Sequence, residues 1–210
     1  MNLTIIGASA GVGLETVKRA LEKGHRVTAL SRSGTDLPAH PLLIDRKGSA
    51  LAKEDVIASI HAADAIIVAL GTGQSTKATT LYSDFACLLI EVKNELDFQA
   101  PVVVLTGFGA GDSGAYNSLP MRLLFRLILG DVYADKTRME SILANSGMKW
   151  VMVRPGRLTD GPLTENYRVE TGLYKGMGIG AVSRADVADF LIRQAENPTA
   201  LYKYPALSGR

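Results

Sequence analysis

Six short apolar runs, at residues 3–6, 27–31, 42–44, 65–70, 102–106 and 150–154, recur along the 210-residue chain with longer stretches between them. Most are continuously apolar rather than alternating, as expected of strands covered on both faces. Such strands pair in parallel, and parallel neighbours need a crossover, so the alternation of strand and helix predicts repeated βαβ units. The expected fold is α/β: a Rossmann-like, doubly wound parallel sheet in a single domain spanning residues 1–210.

The intervening stretches have helical periodicity. Leu14, Val17 and Leu21 share one face, Glu15, Lys18, Arg19, Glu22 and Lys23 take the other, and Gly24 stands where the helix should end. Further helices are expected over residues 53–62, 81–96, 119–129 and 136–145. Ser183 followed by Asp186 predicts an N-capped helix running through Val187, Phe190 and Leu191. Residues 106–118 and 155–180 are irregular and long enough to build a site.

Composition excludes several classes of function. With 47% apolar and 21% charged residues and a net charge of +2, the chain reads as an ordinary globular protein. Lysine and arginine are scattered, so no nucleic-acid partner is expected. No apolar run approaches the roughly 20 residues of a membrane span, and Arg122 and Arg126 interrupt the most apolar helix. Cys87, the single cysteine, lies in the run Phe85-Ala86-Cys87-Leu88-Leu89-Ile90 and is expected to be a buried structural thiol. A lone cysteine and an amino terminus that enters a strand at once suggest a cytoplasmic protein. His25, His40 and His61 lie far apart, so no metal site is expected. Neither a Gly-x-Ser-x-Gly elbow nor a Gly-Lys-Ser/Thr loop is present.

The most informative local motif is Gly7-Ala8-Ser9-Ala10-Gly11-Val12-Gly13, between the first strand and its helix. Gly7 suits a tight turn, Gly11 a close backbone approach to a pyrophosphate, and Gly13 close packing of helix on strand. Amides of the first helical turn then face the phosphates, aided by the helix dipole. A site for NAD(H) usually carries a carboxylate at the end of the second strand. Here that place reads Ala29-Leu30-Ser31-Arg32-Ser33. The guanidinium of Arg32 suits a 2′-phosphate, with Ser31 and Ser33 as further donors, so NADP(H) is expected rather than NAD(H).

The spacing Gly-x-x-x-Gly-x-Gly matches the short-chain dehydrogenase/reductase superfamily. With Leu70-Gly71-Thr72, Arg138-Met139, Ser146-Gly147-Met148-Lys149-Trp150 and Tyr202-Lys203-Tyr204-Pro205, the chain resembles the atypical, NmrA-like and NAD(P)H-binding reductases. Within them it is most similar to the biliverdin reductase B and flavin reductase family. The resemblance covers nearly the whole chain. It implies Ala8 to Gly13 at the pyrophosphate, Arg32 and Ser33 at the 2′-phosphate, and Asp45, Leu70, Gly71 and Thr72 near adenine and ribose. It also implies Thr106 on the nicotinamide side, with Pro155, Gly156 and Arg157 beneath the ring.

The chain departs from these relatives at the chemistry. The superfamily's tyrosine precedes its lysine by four residues, whereas Tyr133 precedes Lys136 by three. Residues three apart still share a helix face, so the pair is open to two readings, a catalytic couple or ordinary helix residues. Lys136 matches a lysine that lies near the nicotinamide ribose in many atypical members. Thr106 is followed by Gly107 where the flavin reductases carry serine, and Arg157 stands where they carry histidine. For an acceptor, Phe108 would roof the site, with Arg157, Arg122 and Arg126 as cations for an acidic group; a solvated arginine stripe is the alternative for the last two. Two functions follow: an NADPH-dependent reductase of a small aromatic acceptor such as a flavin, quinone or tetrapyrrole, or an NADP(H)-binding sensor without turnover. A monomer and a homodimer are both compatible with the sequence.

Overall fold

In the computed structural model the strands β1 (Asn2–Ile6), β2 (Arg26–Ser31), β3 (Leu43–Lys47), β4 (Ala65–Val68), β5 (Val102–Leu105) and β6 (Trp150–Pro155) run parallel in the spatial order β3-β2-β1-β4-β5-β6. The structure describes residues 1–73, 75–117 and 125–210, with the side chains of Phe125 and Arg126 excepted. The chain reverses direction of travel across the sheet between β1 and β4, the crevice where ligands bind in open sheets of this order.

Successive strand residues feed opposite faces. Leu3, Ile5, Ala29, Ile67, Val103 and Val151 pack under α1 (Gly11–Glu22) and, near the other end of the chain, the helix Arg184–Glu196. Ile6, Leu30, Ile66, Val68, Val104 and Met152 pack under α2 (Lys53–Ile60), α3 (Leu81–Leu96) and α4 (Gly130–Ala144). The final helix is α5 (Arg184–Glu196). Thr4, the buried polar residue of β1, donates its hydroxyl to the carbonyl of Ser59 at 2.6 Å, so its burial leaves no orphan group.

The expected doubly wound sheet is present, with additions and corrections. The segment expected to be irregular holds β7 (Arg157–Thr159) and β8 (Tyr167–Glu170). β7 pairs in parallel with β9 (Ala181–Ser183), while β10 (Ala206–Gly209) extends the main sheet beside β6 and pairs antiparallel with β8. β3 is not covered on both faces: it is an edge strand, with Ile44 56% exposed and Asp45, Arg46 and Lys47 keeping the edge charged. Residues 119–124 of the expected helix 119–129 lie outside the described residues, and Phe125–Leu129 makes a π-helical turn leading directly into α4. Cys87 is exposed, because the helical phase of α3 gives the core face to Phe85, Ala86 and Leu89.

Half of the expected capping box at α5 forms. Ser183 Oγ accepts from the amide of Asp186 at 3.0 Å, but the Asp186 carboxylate accepts from the amides of Thr164 and Glu165 and the hydroxyl of Thr164. That carboxylate ties the loop after β7 to the start of α5. On the same helix the fully buried Asp189 accepts from Arg19, Tyr167 and Arg193, which pairs its charge and joins α1 to α5.

Candidate functional site

The C-terminal ends of β1, β2, β4, β5 and β6 open into one cleft of about 1360 Å³. Its first wall is the turn into α1. A Cβ on Gly13 would sit 2.0 Å from the carbonyl oxygen of Gly7, so only glycine lets α1 start this close to β1. Gly11 has a left-handed φ of 56°, and the nearest atom to a Cβ there would be Arg184 Nε at 3.8 Å, so the turn is open on its cleft side. No side chain caps α1 at Ala10, and its first turn has no acidic residue. The leading amides of this 12-residue helix therefore present unsatisfied donors and the positive end of the dipole. The contrast with α3 is informative. There Asp135, reaching across from α4, accepts from the amides of Tyr82 and Ser83 and from the Ser83 hydroxyl. One helix start is closed by a carboxylate and the other is left for an anion.

Beyond β2, Arg32 lines the cleft and has no acidic partner among the described residues. Ser31 beside it is 6% exposed, and its hydroxyl has no hydrogen-bond partner among the described residues. A buried unpaired hydroxyl next to an unpaired guanidinium suits a phosphoryl group. Four residues with expected cofactor contacts stand outside the cleft lining. Ala8 and Gly13 do not line the cleft, because they are packed into the β1–α1 junction. Ser33 donates to the carbonyl of Gly34, and Asp45 accepts from the amide and hydroxyl of Thr35 at 2.8 Å each, so both shape the loop after β2. Gly7, Ser9, Ala10, Gly11, Val12, Leu70, Gly71 and Thr72 all line the cleft.

At the far end Thr106, Tyr133 and Lys136 meet, joined by Tyr82. Lys136 Nζ donates to the Thr106 carbonyl at 2.7 Å and lies 5.2 Å from the ring centroids of both Tyr82 and Tyr133. Burial pushes its ammonium down to about 8, with Glu140 opposing the shift. Burial pushes the Tyr133 hydroxyl up to about 12, with Tyr82 adding to the effect. A Cβ on residue 107 would lie 2.6 Å from the Tyr133 hydroxyl oxygen, so glycine there makes room for the tyrosine.

The Thr106 hydroxyl is not a free proton donor. It donates at 2.8 Å to Glu140, which lies behind the wall and accepts two further bonds from Arg154 at 3.0 and 2.7 Å. Arg154 also reaches Asp112 at 2.6 Å and lies 4.2 Å from the Tyr204 ring centroid. The same end is bounded by Phe108, 5% exposed and packed with Met177, and by Tyr116 and Ile179. Pro155, Gly156 and Arg157 form the floor, and Arg157 has no acidic partner among the described residues. Arg122 lies outside the described residues, as does the side chain of Arg126.

Sequence reading missed Tyr82, Arg184 and the Glu140–Arg154 pair. Arg184 is bonded to Asp160 and stands beside Gly11 through the tertiary fold, a proximity no local pattern announces. The finished cleft contains Arg32, Lys136, Arg157 and Arg184 and no carboxylate among its described lining residues. No group of three or more metal-ligating side chains occurs among the described residues, and no described helix is long and apolar enough to cross a membrane.

A parallel sheet in this order, with an uncapped helix at its crossover crevice, defines a dinucleotide-binding Rossmann protein. The chain belongs to the NAD(P)H-binding family, whose model matches residues 7–198. Solved structures share the fold. ChuY, an anaerobillin reductase from Escherichia coli O157:H7, is 24% identical with a TM-score of 0.77, over 99% of this chain and 97% of its own. A candidate NADH-flavin reductase from Streptococcus pneumoniae is 24% identical with a TM-score of 0.76, over 100% of both chains. A wide-type short-chain dehydrogenase/reductase from Veillonella parvula, in complex with NADP, is 13% identical with a TM-score of 0.81, over 99% of this chain and 94% of its own.

Proposed function

We propose that the chain is an NADPH-dependent reductase that passes hydride to a small aromatic acceptor, such as a flavin, quinone or tetrapyrrole, in the manner of the flavin reductases. The observation that carries the reading is a cleft running from an open helix terminus to an apolar aromatic wall, with four cations and no carboxylate among its described lining residues. A dinucleotide fits this donor set. The α1 amides and Arg184 suit the pyrophosphate, while Arg32 and the orphan Ser31 hydroxyl suit the extra phosphate that distinguishes NADP(H) from NAD(H). Leu70, Gly71 and Thr72 would serve the ribose and adenine portion, with Thr106, Lys136 and Pro155, which line the same cleft, serving the nicotinamide portion.

The bound cofactor supplies the hydride, which leaves the protein to orient two rings and exclude water. Phe108 and Met177 offer the acceptor an apolar face, and Arg157 offers a counter-ion for an acidic substituent. The names of two structural neighbours, an anaerobillin reductase and a candidate flavin reductase, lend support, as does the NADP held by a third. The test is NADPH oxidation followed at 340 nm, the absorbance of reduced nicotinamide, with FMN, quinones and biliverdin at equal protein. Turnover with one of them is expected. Tight NADPH binding with no turnover across the panel would instead favour a nucleotide sensor.

A further inference from the structure

Reducing a carbonyl, imine or quinone by hydride also requires a proton, and the cleft must provide one or admit it from solvent. Three titratable groups converge at its inner end, Tyr82, Tyr133 and Lys136. Burial raises both tyrosine hydroxyls, Tyr133 to about 12, which makes them weak acids near neutrality. Burial moves the lysine the opposite way, to about 8, into the range where an acid is both charged and able to give up its proton.

We propose that Lys136 is the proton donor of the reduction and that Glu140, one helical turn further along α4, is its positioning residue. The inference rests on the reductase reading. Its geometry is a short chain of bonds: Lys136 Nζ donates to the Thr106 carbonyl at 2.7 Å, and the Thr106 hydroxyl donates to Glu140 at 2.8 Å. Glu140 is itself fixed by Arg154, so the carbonyl that holds the ammonium belongs to a buried network rather than to a loose loop. The groups facing Nζ are Tyr82 from α3, Tyr133 and Glu140 from α4, and the Thr106 carbonyl at the end of β5. Arg154 of β6 stands behind Glu140 and is shared with Asp112, while the Asp135 carboxylate is committed to the start of α3. Glu140 is therefore the carboxylate that favours the charged lysine.

The balance is simple. The acceptor gains a hydride with its electron pair from the dihydronicotinamide, which ends oxidised by two electrons. It gains a proton from Lys136, whose N–H bond breaks with the pair remaining on nitrogen, as an O–H or N–H bond forms on the product. Water reprotonates the amine between turnovers.

The test uses the full chain as wild type, K136R and E140Q. Acetic anhydride labelling of Lys136 against pH, read by mass spectrometry without nucleotide, should show a midpoint near 8 in wild type. The midpoint should fall by about one pH unit in E140Q, because the favourable charge is gone. Wild-type turnover should decline as pH rises through the same midpoint. K136R keeps a cation that does not release its proton, so calorimetry should show NADPH affinity within a few-fold of wild type while turnover falls on the order of 10²-fold or more. Wild-type turnover in K136R, or a labelling midpoint near the ordinary lysine value of about 10.4, overturns the proposal. Failure of wild type with every acceptor defeats the reductase reading and this inference together, whereas an active K136R defeats this inference alone. Should E140Q not fold, the wild-type labelling profile and K136R still decide.

Discussion

Replacing Gly13 with alanine tests whether the close seating of α1 makes the anion site. The added Cβ would lie 2.0 Å from the Gly7 carbonyl oxygen, against an ordinary contact of at least 3.4 Å, so helix and strand must part by about 1.4 Å. Neither atom is a flexible side-chain end, and the strain of such overpacking costs about 1–3 kcal/mol. In a domain of this size each kcal/mol lowers Tm by about 2–4 °C, so a fall of roughly 2–12 °C is expected. The same displacement carries the open amides away from their phosphate. Losing one charge-assisted bond, about 1.5–3 kcal/mol, weakens nucleotide binding by about ten- to a hundredfold. Thermal denaturation and calorimetric titration with NADPH read the two effects separately. Gly172→Ala, where a Cβ meets nothing within 4 Å, should change neither. A Gly13→Ala protein with unaltered Tm would refute the packing argument, and one with lowered Tm but unaltered NADPH affinity would refute the link between helix seating and phosphate binding.

Other substitutions probe separate parts of the account. Arg32→Ala should weaken NADPH about ten- to a hundredfold and leave NADH nearly unchanged, because the guanidinium has no acidic partner among the described residues to release; equal losses for the two nucleotides would contradict its assignment to the extra phosphate. Asp186 is held below the ordinary carboxylate range, since hydrogen bonds from Thr164 and Glu165 outweigh the upward push of burial. A depressed carboxyl stabilises the fold above its unfolded pKa of about 4, and that contribution disappears as pH falls through the lower folded value. Urea titrations of wild type and Asp186→Asn should therefore differ at pH 7 and converge as pH falls below the ordinary carboxylate range, and a gap independent of pH would count against the linkage.

Much of the framework was legible because burial on two faces leaves a direct mark on composition: Ala65 to Val68 and Val102 to Leu105 are unbroken apolar runs and became the central strands. β7 to β10 were less visible, being three or four residues long and dependent on partners far along the chain. α4 starts at Gly130, ahead of the helix expected over 136–145, and takes in Asp135, a residue type that usually faces solvent. Asp135 is instead fully buried as the cap of another helix. Cys87 shows the reverse error, an apolar neighbourhood in sequence that helical phase turns outward. In the site, Gly7 to Gly13 and Arg32 stood out through spacing and a strand end, and Lys136 through the family resemblance. Arg184, Tyr82 and the Glu140–Arg154 pair did not, since their roles come from elements meeting in space.

The most direct test of the whole account is calorimetric titration of ligand-stripped protein with NADPH and, separately, NADH. Saturable binding at one site per chain, tighter for NADPH, is the expected result. Neither heat nor a gain in melting temperature with either nucleotide would contradict the central claim that the open start of α1 and Arg32 together grip a phosphorylated dinucleotide.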